Sequence, residues 1–328
     1  MPRALSFLFD AEIAATAVLL ALSTAMAAIS LRHVEDAEHY QRMAEVFLGS
    51  EALARGALTR GQLRWNYRRI HRDVYIPRDA ARSLRDNIRA AWLWSDRRGV
   101  IAGRAAAALH GAKWVDDFTP IELVGPLNHP PPGIIVRRER IADDDIVELA
   151  GLPVTNLART AFDLGRHLPR DIAVANLDAL SNATGIVTDD VADVVGRHRG
   201  ARGVRQCQVA LSLMDGGAQS PKETWLRLVL IDGGLPRPVT QIRVTDGRRV
   251  AFIDMGYEEP KVGVEYDGEQ HRTDRPQYVD DIKRSEMVYE RGWHVIKVVK
   301  EDRPYMIVQR VGDALERRSG RSGSPRLP

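Results

Sequence analysis

Cysteine is nearly absent from these 328 residues, occurring once as Cys207. An internal disulfide and a cysteine-built zinc centre are therefore excluded, and a reducing, cytoplasmic setting is the expectation. Aromatic residues are also scarce, at 6%. Charge of one sign does not dominate, because 47 Lys and Arg against 44 Asp and Glu leave only +3. The 17 prolines are dispersed, and 28% charged with 44% hydrophobic residues excludes wholesale disorder, collagen and coiled coil. A chain this long outgrows one core, so two or three domains are expected.

Long apolar runs are limited to one, the uncharged stretch from Ile13 to Leu31. Its length suits an export signal or a membrane anchor. Asp10 and Glu12 stand where topology rules want Lys or Arg, and alanine weakens its apolar drive, which argues against a membrane role. A further reading takes Met43 as the biological start, since clean domain patterning begins at Phe47. Residues 1–42 are accordingly set apart as an apolar extension.

The near-neutral total hides a basic head. Between Glu51 and His110 there are thirteen arginines against five acids, an excess of eight that suits a phosphate backbone. Ser50 is placed to cap a helix that Gly56 ends, and Thr59 with Gln62 forms a capping box for a second helix. The run Tyr67 to Pro77 (YRRIHRDVYIP) then reads as a β-hairpin. Helix, turn, helix and hairpin together suggest a winged helix over residues 43–110. Arg60, Arg64, Arg68, Arg69 and Arg72 are its candidate nucleic-acid contacts.

The segments SEALARG (50–56), YRRIHRDVYIP and GRAAAALHG (103–111) resemble the N-terminal domain of AbiEi-type antitoxins. That resemblance implies DNA binding without catalysis, with a cognate toxin or antitoxin as a further partner. His110, before Gly111, reads as a helix-end histidine.

Residues 111–218 read as connection and scaffold. Ile121 to Gly125 and Gly133 to Arg137 are strand-like runs expected to extend the small sheet of the hairpin. Helical spacing with cap residues follows in Thr155 to Leu168, Asp171 to Leu180 and Thr188 to Val195. Gly200 to Gly203 and Gly216 to Ala218 bracket one more helix around Cys207 and mark joints, with a boundary near Gly216.

Residues 219–313 carry the chemistry. Ser220, Pro221 and Glu223 make a helix start. Val250 to Asp254 and Lys261 to Gly268 read as an antiparallel pair, with Glu265 and Asp267 on one face and Asp254 able to join them. Carboxylates this close must take up protons or share a divalent cation, and hard oxygen donors favour Mg²⁺ or Mn²⁺. Glu223 is a fourth acid that can face the cluster. A charged helix from Tyr278 to Arg291, stopped by Gly292, precedes a strand at Trp293 to Val298. Residues 314–328 read as a disordered tail.

The order helix, three strands, helix, strand, with QSPKE at 219–223, Asp254, VEYDGEQH at 264–271 and GWHVIK at 292–297, resembles the PD-(D/E)XK nuclease superfamily. Within it, the chain is similar to the branch resembling very-short-patch repair endonucleases. The resemblance implies a mixed α/β chain with a restriction-endonuclease-like αβββαβ domain, and a metal held by the residues here numbered Asp254 and Glu265. One departure stands out: the superfamily's lysine, two residues after the glutamate, is Asp267 in this chain. His271, Lys261 and Lys283 are candidate replacements, with His271 favoured because imidazole exchanges protons near neutral pH.

The expected function is a metal-dependent DNA endonuclease with catalytic residues Glu223, Asp254, Glu265, Asp267 and His271. Asp254, Glu265 and Asp267 are the metal ligands of that reading, DNA is the partner and no small-molecule cofactor is implied. The alternatives are a DNA-binding regulator with a degenerate nuclease fold, and a toxin–antitoxin fusion whose head restrains the nuclease.

Overall fold

The computed structural model describes residues 46–267 and 275–320. The apolar stretch from Ile13 to Leu31, Met43, His271 and the end of the tail lie outside them. The chain is mixed α/β with three sheets among the described residues, and it divides into two compact units, Met1–Arg97 and Arg98–Pro328. No helix among the described residues is long and apolar enough to cross a membrane.

The first unit runs β1 (Phe47–Leu48), α1 (Gly49–Ala54), α2 (Arg60–Asn66), β2 (Tyr67–His71), β3 (Val74–Pro77) and α3 (Leu84–Trp94). Its antiparallel sheet has the order β1-β3-β2. Thr59 caps α2 through the Gln62 amide, and the Gln62 side chain accepts from the Thr59 amide in return. Ser50 does not cap α1, whose N-cap position is Leu48. Its amide and hydroxyl instead donate to Asp73, in the hairpin turn, where φ is +61°. A short polar side chain suits that left-handed position, and the carboxylate ties the turn to the helix start. Val46, Val74, Ile76, Ala90 and Leu93 form one core cluster, and Leu58, Leu63 and Tyr67 another.

The second unit opens with β4 (Val100–Ala102), α4 (Gly103–Leu109), β5 (Ile121–Val124), β6 (Ile134–Arg137), β7 (Ile146–Leu149) and β8 (Leu152–Thr155). These strands form one sheet in the order β6-β5-β4-β8-β7. β5 and β6 therefore belong to this sheet and do not extend the hairpin's. They pair in parallel, an arrangement with no short-range signature, whereas consecutive strands with a turn between them suggest a hairpin. His110 ends α4, and its Nε2 lies 2.8 Å from the Thr155 carbonyl.

Helices α5 (Leu157–His167), α6 (Arg170–Thr184), α7 (Thr188–Arg197) and α8 (Val204–Leu213) follow, packed around Phe162, Leu177, Leu180, Val191 and Cys207. Four further helix and strand steps lead to the acid-bearing strands: α9 (Pro221–Asp232), then β9 (Val239–Thr245), β10 (Val250–Tyr257) and β11 (Val262–Tyr266). They are completed by α10 (Arg275–Glu290), β12 (His294–Val298) and α11 (Pro304–Ser319). The sheet order is β12-β11-β10-β9, antiparallel except for the parallel β11 and β12. Leu226 and Leu230 of α9 and Ile307 and Val311 of α11 pack with Met255, Val264 and Val298. Met287 and Val288 of α10 pack with Ile242, Ile253 and Trp293.

No open joint separates the α6–α8 layer from α9. A Cβ on Gly216 would come 2.6 Å from Ser181 Oγ, and one on Gly217 would collide with Thr240. Asp178 of α6 pairs with Arg227 of α9 at 2.7 Å, both side chains fully enclosed. The same carboxylate accepts from the Asp215 amide and the Thr224 hydroxyl. These contacts fix the start of α9, and with it Glu223.

Candidate metal and phosphate site

Glu223 sits in the first turn of α9. Ser220 caps the helix by accepting from the Glu223 amide at 3.2 Å, and Pro221 occupies a first-turn position where no amide proton is needed. The Glu223 carboxylate accepts from the Gln219 amide, the Ser220 hydroxyl and Gln241 Nε2, at 2.9, 2.9 and 3.3 Å. Gln241 reaches it from β9, where its φ of +51° interrupts the regular strand. Burial pushes the Glu223 carboxyl up, and the neighbouring Asp254 adds to the shift.

The β10–β11 pairing sets the next two acids. Met255 is registered with Val264, so Asp254 and Glu265 occupy the adjoining positions. Asp254 Oδ2 accepts from the Tyr266 amide at 2.9 Å, which locks the side chain across the two strands. Burial raises both carboxyls above their usual range, and Asp254 and Asp267 push Glu265 further. Asp267 follows the last residue of β11, its amide donating to the Val298 carbonyl at 2.8 Å. The four acids are thus linked as neighbours in one charged group, from Glu223 through Asp254 and Glu265 to Asp267.

Two cations beside them were not among the sequence candidates. Arg284 of α10 donates to Glu265 Oε1 at 3.1 Å and also to the Phe252 carbonyl. Lys297 of β12 is the register partner of Glu265. Directly opposed residues on neighbouring strands project to one face, so Lys297 stands beside the glutamate. The lysines that the sequence offered are elsewhere engaged or exposed. Lys261 Nζ donates to the Arg291 carbonyl at 2.9 Å, and Lys283 is exposed on α10.

The donor set suits a hard divalent cation. Asp254 and Glu265 are close enough to raise one another's charge cost, and both offer carboxylate oxygens. Mg²⁺ typically takes one or two carboxylates and completes its shell with water and phosphate oxygens, which this pair allows.

Among the described residues, one trio of ligand atoms lies mutually within 4.8 Å, and it belongs to Glu139, Asp163 and His167 rather than to these acids. That trio is already neutralised. Arg159 donates to Asp163 at 3.0 Å and Arg166 to Glu139, with both guanidiniums buried. A metal there would have to displace two buried arginines, leaving their charge unpaired.

In the first unit, Arg60 and Arg64 are exposed on α2, and Arg69 and Arg72 on the hairpin. Arg64 also lies over the exposed ring of Trp65, 5.7 Å from its centroid. Arg68 differs from the others: its guanidinium donates to the Ala80 carbonyl at 2.9 Å, a bond that ties β2 to the segment after β3.

No family model matches the chain. Two curated relatives from Mycobacterium tuberculosis are similar to it, uncharacterized protein MT2308 of strain CDC 1551 / Oshkosh and uncharacterized protein Rv2248 of strain ATCC 25618 / H37Rv. Each is 28% identical over 218 residues, covering 65% of this chain and 79% of the relative. Their names assign no activity.

Proposed function

We propose that the chain is a metal-dependent DNA endonuclease, with a restriction-endonuclease-like fold over residues 219–313 and a winged-helix unit that binds duplex DNA. The observation that carries this reading is the placement of Asp254 and Glu265 on adjacent strand positions, with Glu223 and Asp267 flanking them and two cations alongside. Half-buried acids that act on one another repel, and a bound cation offsets that cost.

Asp254 and Glu265 are the residues that would hold Mg²⁺ or Mn²⁺, with Asp267 as a further acid acting on Glu265. When bound, the ion offsets phosphate charge and lowers the pKa of a coordinated water. The chain's own contribution is orientation. The Tyr266 amide fixes Asp254, and Gln219, Ser220 and Gln241 fix Glu223. Glu223, whose carboxyl is raised by burial and by Asp254, is the candidate to accept a proton from water. His271 remains the sequence-based candidate for handling the leaving group's proton. The exposed Arg60, Arg64, Arg69 and Arg72 supply the backbone contacts.

Incubation with supercoiled plasmid and Mg²⁺ or Mn²⁺ tests the reading. Nicking that disappears in Glu265→Ala supports it, and DNA retention on a gel without nicking at any metal concentration refutes it. That second outcome is what a non-catalytic regulator would give, and one contact favours it: Arg284 already occupies an oxygen of Glu265. Asp267 in place of the superfamily's lysine points the same way.

A further inference from the structure

An acid cluster on a nuclease sheet needs a fixed positive charge facing the phosphate, because the metal-binding carboxylates themselves repel the backbone. The position at which the resemblance expects that charge is occupied by Asp267. Sequence order offers His271, Lys261 and Lys283 as substitutes, and the sheet adds another cation. β12 joins β11 in parallel, and the ladder runs Val262 with His294, Gly263 with Val295, Val264 with Ile296, Glu265 with Lys297 and Tyr266 with Val298. Alternate partners split cleanly. Val264, Ile296 and Val298 are buried in the core with α9 and α11, while Glu265 and Lys297 project to the opposite side.

Lys297 is exposed although it lies in the middle of a strand flanked by buried Ile296 and Val298. It acts electrostatically on Glu265 alongside Arg284. Arg284 is itself committed to the Phe252 carbonyl and to Glu265, so its fork is already in use. Lys261 is drawn off to the Arg291 carbonyl. Lys297 thus combines a fixed strand position beside Glu265 with exposure to solvent.

We propose that Lys297 is a catalytic residue, contacting the scissile phosphate from β12 and taking the place of the lysine that the resemblance expects at position 267. This deepens the endonuclease reading and rests on it. In the reaction, water adds to phosphorus and the ester P–O bond breaks. The proton lost by the water passes to a base, and the leaving alkoxide takes one up. Lys297 keeps its proton throughout and balances the charge that builds on the non-bridging oxygens.

The test uses the full chain and two variants, Lys297→Met and Lys297→Arg, with three readouts. Plasmid nicking in Mg²⁺ should fall about 100-fold in Lys297→Met, the usual scale for losing one such electrostatic group. Binding of a labelled duplex in Ca²⁺ should weaken, with the slope of log affinity against log salt reduced by about one, and Lys297→Arg should keep the wild-type slope. Mn²⁺ uptake by DNA-free protein should persist in Lys297→Met, whereas Glu265→Ala should lose it.

Wild-type nicking and an unchanged salt slope in Lys297→Met would overturn the assignment while leaving the hydrolase reading intact. Loss of Mn²⁺ uptake in Lys297→Met would overturn it too, by showing that the residue builds the metal site rather than facing phosphate. Absence of nicking in the wild type would remove the hydrolase reading. A lowered salt slope in Lys297→Met would still place the ammonium against a phosphate, and an unchanged one would remove that as well.

Discussion

Replacing Asp178 by Ala should be among the most damaging single changes in the second unit, and its cost follows from the structure. The carboxylate and Arg227 are 1% and 0% exposed and 2.7 Å apart. Removing it leaves a buried guanidinium without its counter-charge and takes an acceptor from the Asp215 amide and the Thr224 hydroxyl. Breaking one side of a buried pair costs about 3–5 kcal/mol. In a unit of roughly 150–250 residues, each kcal/mol lowers Tm by about 2–4 °C, so the expected drop is on the order of 10 °C. Differential scanning calorimetry or thermal circular dichroism reads this directly. Asp178→Leu combined with Arg227→Met serves as the control, since it removes both charges and should recover much of the loss. A fall below about 3 °C for Asp178→Ala would refute the claim that this pair holds α9 in place. A double variant as unstable as the single one would show that packing, not unpaired charge, sets the cost.

Three other outcomes follow. Glu139 is held at about 2 by its bonds to His167 and Arg166, below its ordinary value near 4.5, so its contribution is present above about pH 4.5 and lost as pH falls toward 2. Tm measured between pH 3 and 7 should therefore drop on acidification, and Glu139→Gln should flatten that drop; an equal drop in both would refute the role. Cys207 is buried, with its thiol pushed up to about 12, so a thiol reagent at pH 8 should react only after denaturant is added. Rapid labelling of the native protein would count against the described packing. Arg64→Ala should lower DNA affinity and reduce the salt slope by about one with Tm unchanged. Arg68→Ala should instead lower Tm, because it loses the Ala80 bond; the reverse pattern would show that Arg68, not Arg64, meets the backbone.

Local signals carry much of the architecture. Ser220, Pro221 and Glu223 announce α9, Thr59 with Gln62 announces α2, and Gly292 at φ +82° closes the turn before β12. The proximity of Asp254 and Glu265 is legible because a short antiparallel connection fixes register within a few residues. Pairings between distant segments are not legible. The parallel contact of β5 with β6 and of β11 with β12 arises from crossover topology, and so the partnership of Glu265 with Lys297 leaves no mark on the chain. Arg284 is hidden differently, as one cation on a helix rich in both charges. Ser50 looks like a cap because its residue type suits one, yet Asp73, twenty-three residues on, claims its hydroxyl.

The glycines at 216 and 217 have a consequence for how this protein could be rearranged. They lie where a cut would look harmless, yet Ser181 and Thr240 press on them from either side. A fragment starting there would expose Arg227 and unmoor the residue that opens the acid group. The C-terminal hundred residues are therefore not a portable cassette, and any swap between related chains should carry the preceding four-helix layer along.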